Sequence, residues 1–372
     1  MRKHIEIENI ADAKRLLEEK SYIDGYAFQA IDFTLAQVDL SEHLFVNSIF
    51  LGCVIPTSIS QKFDNTNIVI NKFNLPYRVF IPKMYSCESL YNGYDYTDET
   101  TFATCFDSKV YKHYIDSGKR SDDIAETLSR TLHDHSVLDA MYDYLAKWNP
   151  KDVVAIMGGH ALGRDCPEYR DIALISKHLT EKGKLMVSGG GPGAMEATHL
   201  GAYLAGYDDS VIDTALKIIS PYPSYKDKMW LSSAFKVLSM FPNPKYESLS
   251  IPTWLYGHEP STPFATHIAK LFENALREDG LLTIAAGGVI YSPGSAGTMQ
   301  EIFQDAVQNH YLSFGYASPM VFLGKEYWMD EMPVYRLMEH LIAKGKYNNL
   351  LLSITDSIDE TVQTIEDFRS EG

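Results

Sequence analysis

From Lys151 onward, short apolar and β-branched runs alternate with segments of helical periodicity, and three junctions from run to helix are rich in glycine. Runs at residues 153–157, 185–188, 253–256, 288–291 and 320–323 read as buried strands. Residues 169–181, 194–205, 265–277 and 334–343 read as helices, and another opens at the third glycine turn and runs to about residue 308. Strands apolar on both faces, alternating with helices, leave little choice but a parallel sheet covered on both sides. The expected class is therefore α/β. Residues 210–250 fit the alternation poorly; rich in Tyr, Pro and Lys, they read as an excursion around a site.

The preceding residues are less regular. At 372 residues two domains are expected, with a seam at Asn149-Pro150, where the residue before proline is pushed out of helical geometry. This divides the chain into an N-terminal extension of mixed strands and helices, 1–148, and an α/β domain, 149–372. Within residues 28–55 bulky apolar residues recur at about every fifth position, as Phe28, Phe33 and Val38, then Leu40, Phe45, Phe50 and Ile55. That spacing fits a coil of short stacked strands or two ordinary strands joined by a loop, and ordinary strands are the expectation. Residues 121–148 carry apolar side chains at steps of three or four and predict one or two helices.

A net charge of −16 argues against a nucleic-acid partner, which needs a basic surface. Cys53, Cys87, Cys105 and Cys166 are scattered without a CxxC pair, so zinc-ligand and thioredoxin-like spacings are absent. They read as reduced thiols of a cytoplasmic protein. The first twenty residues are charged and helix-patterned, unlike a signal peptide. The most apolar stretch, residues 44–55, is too short to cross a bilayer. No His/Asp/Glu cluster suggests a metal, and no cofactor is expected.

The three glycine turns follow strands, so in a parallel sheet they share the carboxyl edge, where such folds bind ligands. Glycine admits close approach of the backbone, and the helix behind each turn offers free N–H groups to an anion. The first turn, Gly158-Gly159 to Gly163, has a P-loop spacing, but Arg164-Asp165 replaces the required Lys-Ser/Thr, which sets ATP hydrolysis aside. The second fits G-x-G-x-x-A through Gly189, Gly191 and Ala194. No acidic residue closes a following strand at the distance a nicotinamide dinucleotide would need, so an oxidoreductase is the weakest reading. The third, Pro293 to Glu301, is the most specific signal. Its glycines and Thr298 would cap the helix and hold a phosphate, with Glu301 one turn in. Upstream, His267, Lys270 and Arg277 are expected on the helix 265–277, the first two sharing a face.

Taken together, SGGGPGAMEA (188–197) and PGSAGTMQE (293–301) resemble the LOG family, formerly mislabelled as lysine decarboxylases, in an extended form. The resemblance covers roughly residues 151–325. It implies a Rossmann-like fold, a homodimer, and hydrolysis of nucleoside 5′-monophosphates to free base and ribose 5-phosphate. Under it Glu301 is the essential glutamate, with Lys270 and Arg277 as catalytic cations. Gly294, Ser295, Gly297 and Thr298 form the phosphate turn, Gly189, Gly190, Gly191 and Gly193 the first motif, and Gly158 and Gly159 line the same edge. The sequence departs from the family pattern at Ser295, where glycine is usual, and at Ala269, where His267-Ile268-Ala269-Lys270 stands for H-x-R-K. Arg277 and Arg164 are the cations available in place of that arginine, and His160 and His267 the candidates to protonate the departing base. The expected partner is a small nucleotide or ribosyl phosphate. The alternative is a nucleotide-binding sensor without catalysis.

Overall fold

The computed structural model describes residues 4–71 and 73–370. They fall into two units, one of residues up to Met84 with His113–Tyr142, the other of Tyr85–Lys112 with Asp143 onward. Tyr85–Lys112 thus packs with the second unit although it precedes Asn149-Pro150.

In the first unit, strands β1 (Ile5–Ile7), β2 (Tyr22–Asp24), β3 (Tyr26–Gln29), β4 (Leu44–Val46), β5 (Ile49–Leu51) and β6 (Ile68–Ile70) pair only in parallel, as β1-β3-β5-β6 and β2-β4. Tyr22 lies beside Leu44, Ala27 beside Ile49, and Ile49 beside Ile68. The chain therefore winds as a coil that gains one layer in roughly 20 residues. Inside, Phe28 stacks on Phe50 at 5.2 Å and Phe50 on Phe63 at 4.6 Å, with Phe33 and Phe45 packed among them. The expectation of two ordinary strands is corrected by this register. The five-residue spacing marks inward positions on successive sides of a coil, where aromatic rings stack from layer to layer. Residues 121–148 contain a single long helix, Ile124–Leu145.

The second unit holds seven parallel strands: β7 (Val153–Met157), β8 (Leu185–Ser188), β9 (Ser248–Ser250), β10 (His267–Ile268), β11 (Val289–Tyr291), β12 (Pro319–Leu323) and β13 (Leu351–Thr355). Their order is β10-β9-β8-β7-β11-β12-β13, which makes this a Rossmann-like α/β sheet. β7 and β12 are buried along their whole length, as their unbroken apolar runs require. From β7 the chain steps outward through β8, β9 and β10, then returns to the other side of β7 for β11. The strand order reverses there, and the crevice at the carboxyl ends of β7 and β11 is where such sheets take ligands.

Two elements expected from the sequence are corrected. The strand predicted at 253–256 is a short 3₁₀ turn, Trp254–Tyr256, because the Thr253 hydroxyl accepts from the Leu255 N–H and curls the chain; the strand lies earlier, at β9. The helix predicted at 265–277 is instead β10, with His267 beside Leu249 and Ile268 beside Ser250, followed by a helix at Asn274–Ile284 that Glu273 caps. The helices Ser210–Ile219 and Trp230–Met240, strand β13 and the helix Ile358–Ser370 went unassigned in the sequence.

The helices Pro167–Glu181 and Ala194–Tyr203 cover one stretch of the sheet and cross at Gly201, where an added Cβ would fall 2.0 Å from the Ala173 carbonyl oxygen. Two backbones meet here, so nothing can rotate away. Gly201→Ala is expected to cost about 1–3 kcal/mol by overpacking, read as a lowered thermal midpoint; an unchanged midpoint would show that the helices separate freely. No helix among the described residues is long and apolar enough to cross a membrane.

Candidate functional site

The glycine turns leave β7, β8 and β11, the three adjacent strands at the reversal, and they touch one another. The Gly159 N–H donates to the Pro293 carbonyl at 3.1 Å, and the Ala194 N–H to the Gly159 carbonyl at 3.2 Å. Two glycines are obligatory for this contact. Gly193 has φ +69°, and a Cβ there would meet the Gly159 oxygen at 2.3 Å; one on Gly294 would meet Thr298 Oγ1 at 2.2 Å and the Gly159 nitrogen at 3.0 Å. The turns thus form one continuous edge carrying Gly158, Gly159, Gly189, Gly190, Gly191 and Gly193 beside Gly294, Ser295, Gly297 and Thr298.

The helix Ala296–His310 behind the third turn is capped by Ser295, not Thr298, and Ser295 makes no side-chain cap hydrogen bond. Thr298 is buried against Gly294. The N–H groups of the first turn, at the exposed Ser295, Ala296 and Gly297, are the positive end of the helix dipole. Serine stands where the family pattern has glycine, at φ −111° and ψ −139°. The helix Ala194–Tyr203 behind the second turn also starts without a side-chain cap.

Glu301 lies one turn further in, half-buried. Burial pushes its carboxyl up to about 7, with the charge of Arg277 opposing the shift and that of Glu278 adding to it. One turn beyond, buried Asp305 is also raised to about 7 by burial, and the Tyr291 hydroxyl donates to it at 2.6 Å. Arg277 stands in the first turn of Asn274–Ile284. Its Nε donates to the Ile251 carbonyl at 3.3 Å, and its Nη2 comes so close to Gly189 that a Cβ there would lie 2.2 Å away. The guanidinium therefore lies against the second glycine turn, and its charge acts on Glu301.

The other candidates go elsewhere. Lys270 is buried, donating to Asp107 Oδ1 at 2.6 Å and Ser261 Oγ at 3.0 Å, with its ammonium 5.3 Å from the centre of the Trp254 ring. Its positive charge is spent on Asp107. His267 stacks on Tyr144 with ring centres 4.2 Å apart. The two do not share a helix face, since on extended backbone residues three apart point to opposite sides. Ala269 is fully buried, with its N–H donating to Ser250. Arg164 is fully buried in a two-pronged ion pair with Glu196, Nε to Oε2 at 2.8 Å and Nη2 to Oε1 at 2.5 Å. Its Nη1 donates to the Trp230 carbonyl and to Ser233, and the Tyr169 hydroxyl donates to Glu196. Of the two cations available for the missing arginine, Arg277 is the one whose charge acts on Glu301.

Residues 210–250 return to this edge: the Arg164 N–H donates to the Pro223 carbonyl, and Tyr225 and Lys226 line a cavity of about 130 Å³ with His160 and Pro192. Sequence reasoning placed the excursion near the site without singling out its residues.

No family model and no curated protein matches the chain. Among solved structures it is similar to a structural-genomics target, TM1055, at 22% identity over 58% of this chain and 98% of that one, with a TM-score of 0.37. The fold is established by the sheet order rather than by this likeness.

Proposed function

We propose that the protein hydrolyses the N-glycosidic bond of a nucleoside 5′-monophosphate, releasing the free base and ribose 5-phosphate. The observation that carries this reading is a half-buried carboxyl, Glu301, on which the charge of Arg277 acts, one turn behind a helix N-terminus without a side-chain cap at the reversal of the sheet. The 5′-phosphate takes the N–H groups of the Gly294–Thr298 turn. Held remote from the bond that breaks, it fixes the ribose. A water oxygen bonds to C1′ as the bond from C1′ to the base nitrogen breaks. The base leaves with the electron pair and takes up a proton from solvent, while the water's proton passes to Glu301 and on to solvent; in its ionised form Glu301 also stabilises the ribosyl cation. Arg277 keeps Glu301 from being neutralised entirely by burial.

Only ionised Glu301 can do this, and its carboxyl loses its proton near pH 7. Turnover is therefore expected to rise roughly tenfold per pH unit below about 7 and to level off above it. Initial rates of base release from pH 5 to 9 check this, and a flat profile through pH 6 would contradict it. The reading itself is tested by incubating the protein with each common nucleoside 5′-monophosphate and assaying free base and ribose 5-phosphate. A second reading, nucleotide binding without turnover, is favoured by Lys270, whose charge is engaged by Asp107. Saturable binding without release would select it.

A further inference from the structure

The 130 Å³ cavity lies on the β8 side of the same edge, away from the phosphate turn. His160 follows Gly159 directly, and Pro192 lies between Gly191 and Gly193, so its floor is made of the glycine turns themselves. Its wall is the returning loop, with Tyr225 half-buried and Lys226 exposed, the Lys226 ammonium 5.8 Å from the Tyr225 ring centre. The rings of His160 and Tyr225 meet edge-on at 6.4 Å. A carboxylate stands beside two residues of these turns, His160 and Gly191. Glu259 Oε1 is 4.0 Å from His160 Nε2 and 3.7 Å from His258 Nε2, and Oε2 would lie 3.9 Å from a Cβ on Gly191. The charge of Glu259 adds to burial in raising the Tyr225 hydroxyl.

These groups differ sharply in hydrogen-bonding character. An ionised carboxylate only accepts, and its two oxygens suit two neighbouring N–H donors; an ammonium only donates. Tyr225 offers a face for a flat ring. Among nucleobases, guanine presents the matching edge: N1–H beside the exocyclic N2–H₂, with the acceptors O6 and N7 next to them. Adenine sets the acceptor N1 against the carboxylate, and hypoxanthine lacks the exocyclic amine.

We propose that Glu259, Tyr225, Lys226 and His160 form the base subsite and that it takes a guanine ring. The ligand is then a guanosine 5′-phosphate, with Glu259 receiving the N1–H and N2–H₂ edge. This rests on the nucleotide-site reading above. The test is titration calorimetry of the full chain carrying Glu301→Gln, with guanosine, inosine and adenosine 5′-monophosphates and with ribose 5-phosphate, repeated after adding Glu259→Gln or Tyr225→Ala. Guanosine monophosphate is expected to bind at least about tenfold tighter than the other two nucleotides, since a half-buried acceptor left unpaired penalises the analogues. Glu259→Gln removes that preference and Tyr225→Ala weakens all three nucleotides, while ribose 5-phosphate binds as before. No preference, or one that survives Glu259→Gln, overturns the subsite while ribose 5-phosphate binding upholds the nucleotide site. If none of the four binds, the nucleotide site falls and the subsite with it.

Discussion

Glu301→Gln is expected to reduce turnover by about 100- to 10,000-fold, the range over which a positioned acid or base acts, while nucleotide affinity changes only a few-fold. The amide has the carboxyl's shape but can neither take a proton from water nor hold negative charge beside the ribosyl cation. Arg277, Gly189 and the phosphate turn do not depend on Glu301 for their positions, because their contacts run through Ile251, Met195 and the Gly159 backbone. Ligand binding therefore outlives catalysis. Single-turnover rates with calorimetry on the same preparation decide the matter. A variant that keeps a tenth or more of the wild-type rate would remove Glu301 from the chemistry.

Arg164→Ala should cost about 3–5 kcal/mol of folding stability, the penalty for stranding one member of a buried ion pair. Glu196 is 0% exposed, and without the guanidinium it keeps only the Tyr169 hydroxyl. Removal also strips donors from the Trp230 carbonyl and from Ser233, which belong to the excursion that returns to the site. Urea unfolding measures the loss. Replacing both charges together, as Arg164→Met with Glu196→Leu, should cost markedly less, because no charge is then left without its partner. A single variant within 1 kcal/mol of wild type would mean that water reaches Glu196.

The parts of the fold legible in the sequence are those where local pattern and tertiary demand agree. β7 and β12 are apolar on both faces, so their runs identify them without context. The glycine turns are legible because their backbones pack against one another and tolerate no other residue at Gly193 and Gly294. The misread segments are ones where tertiary contacts decide. β10 has two residues in ladder and lies at an edge, and its flanks carry apolar residues at helical intervals because both sides of the edge are covered. The role of Lys270 was hidden for the same reason: its partner Asp107 is 163 positions away, beyond any local signal. Arg277 was visible only as a cation near a motif. Its approach to Gly189 depends on where the helix Asn274–Ile284 starts, and that start is set by Glu273.

The coiled N-terminal unit has a property that the sheet does not share. Among the described strands each one ladders only with the strands of neighbouring circuits, so a circuit added or deleted leaves a ladder of the same kind. A seven-stranded sheet with a site at its reversal cannot gain a central strand without destroying that site. The coil can grow by whole circuits, each lengthening it by one interstrand spacing of about 4.8 Å. It is a ruler marked in strands, and its length is set by the number of circuits.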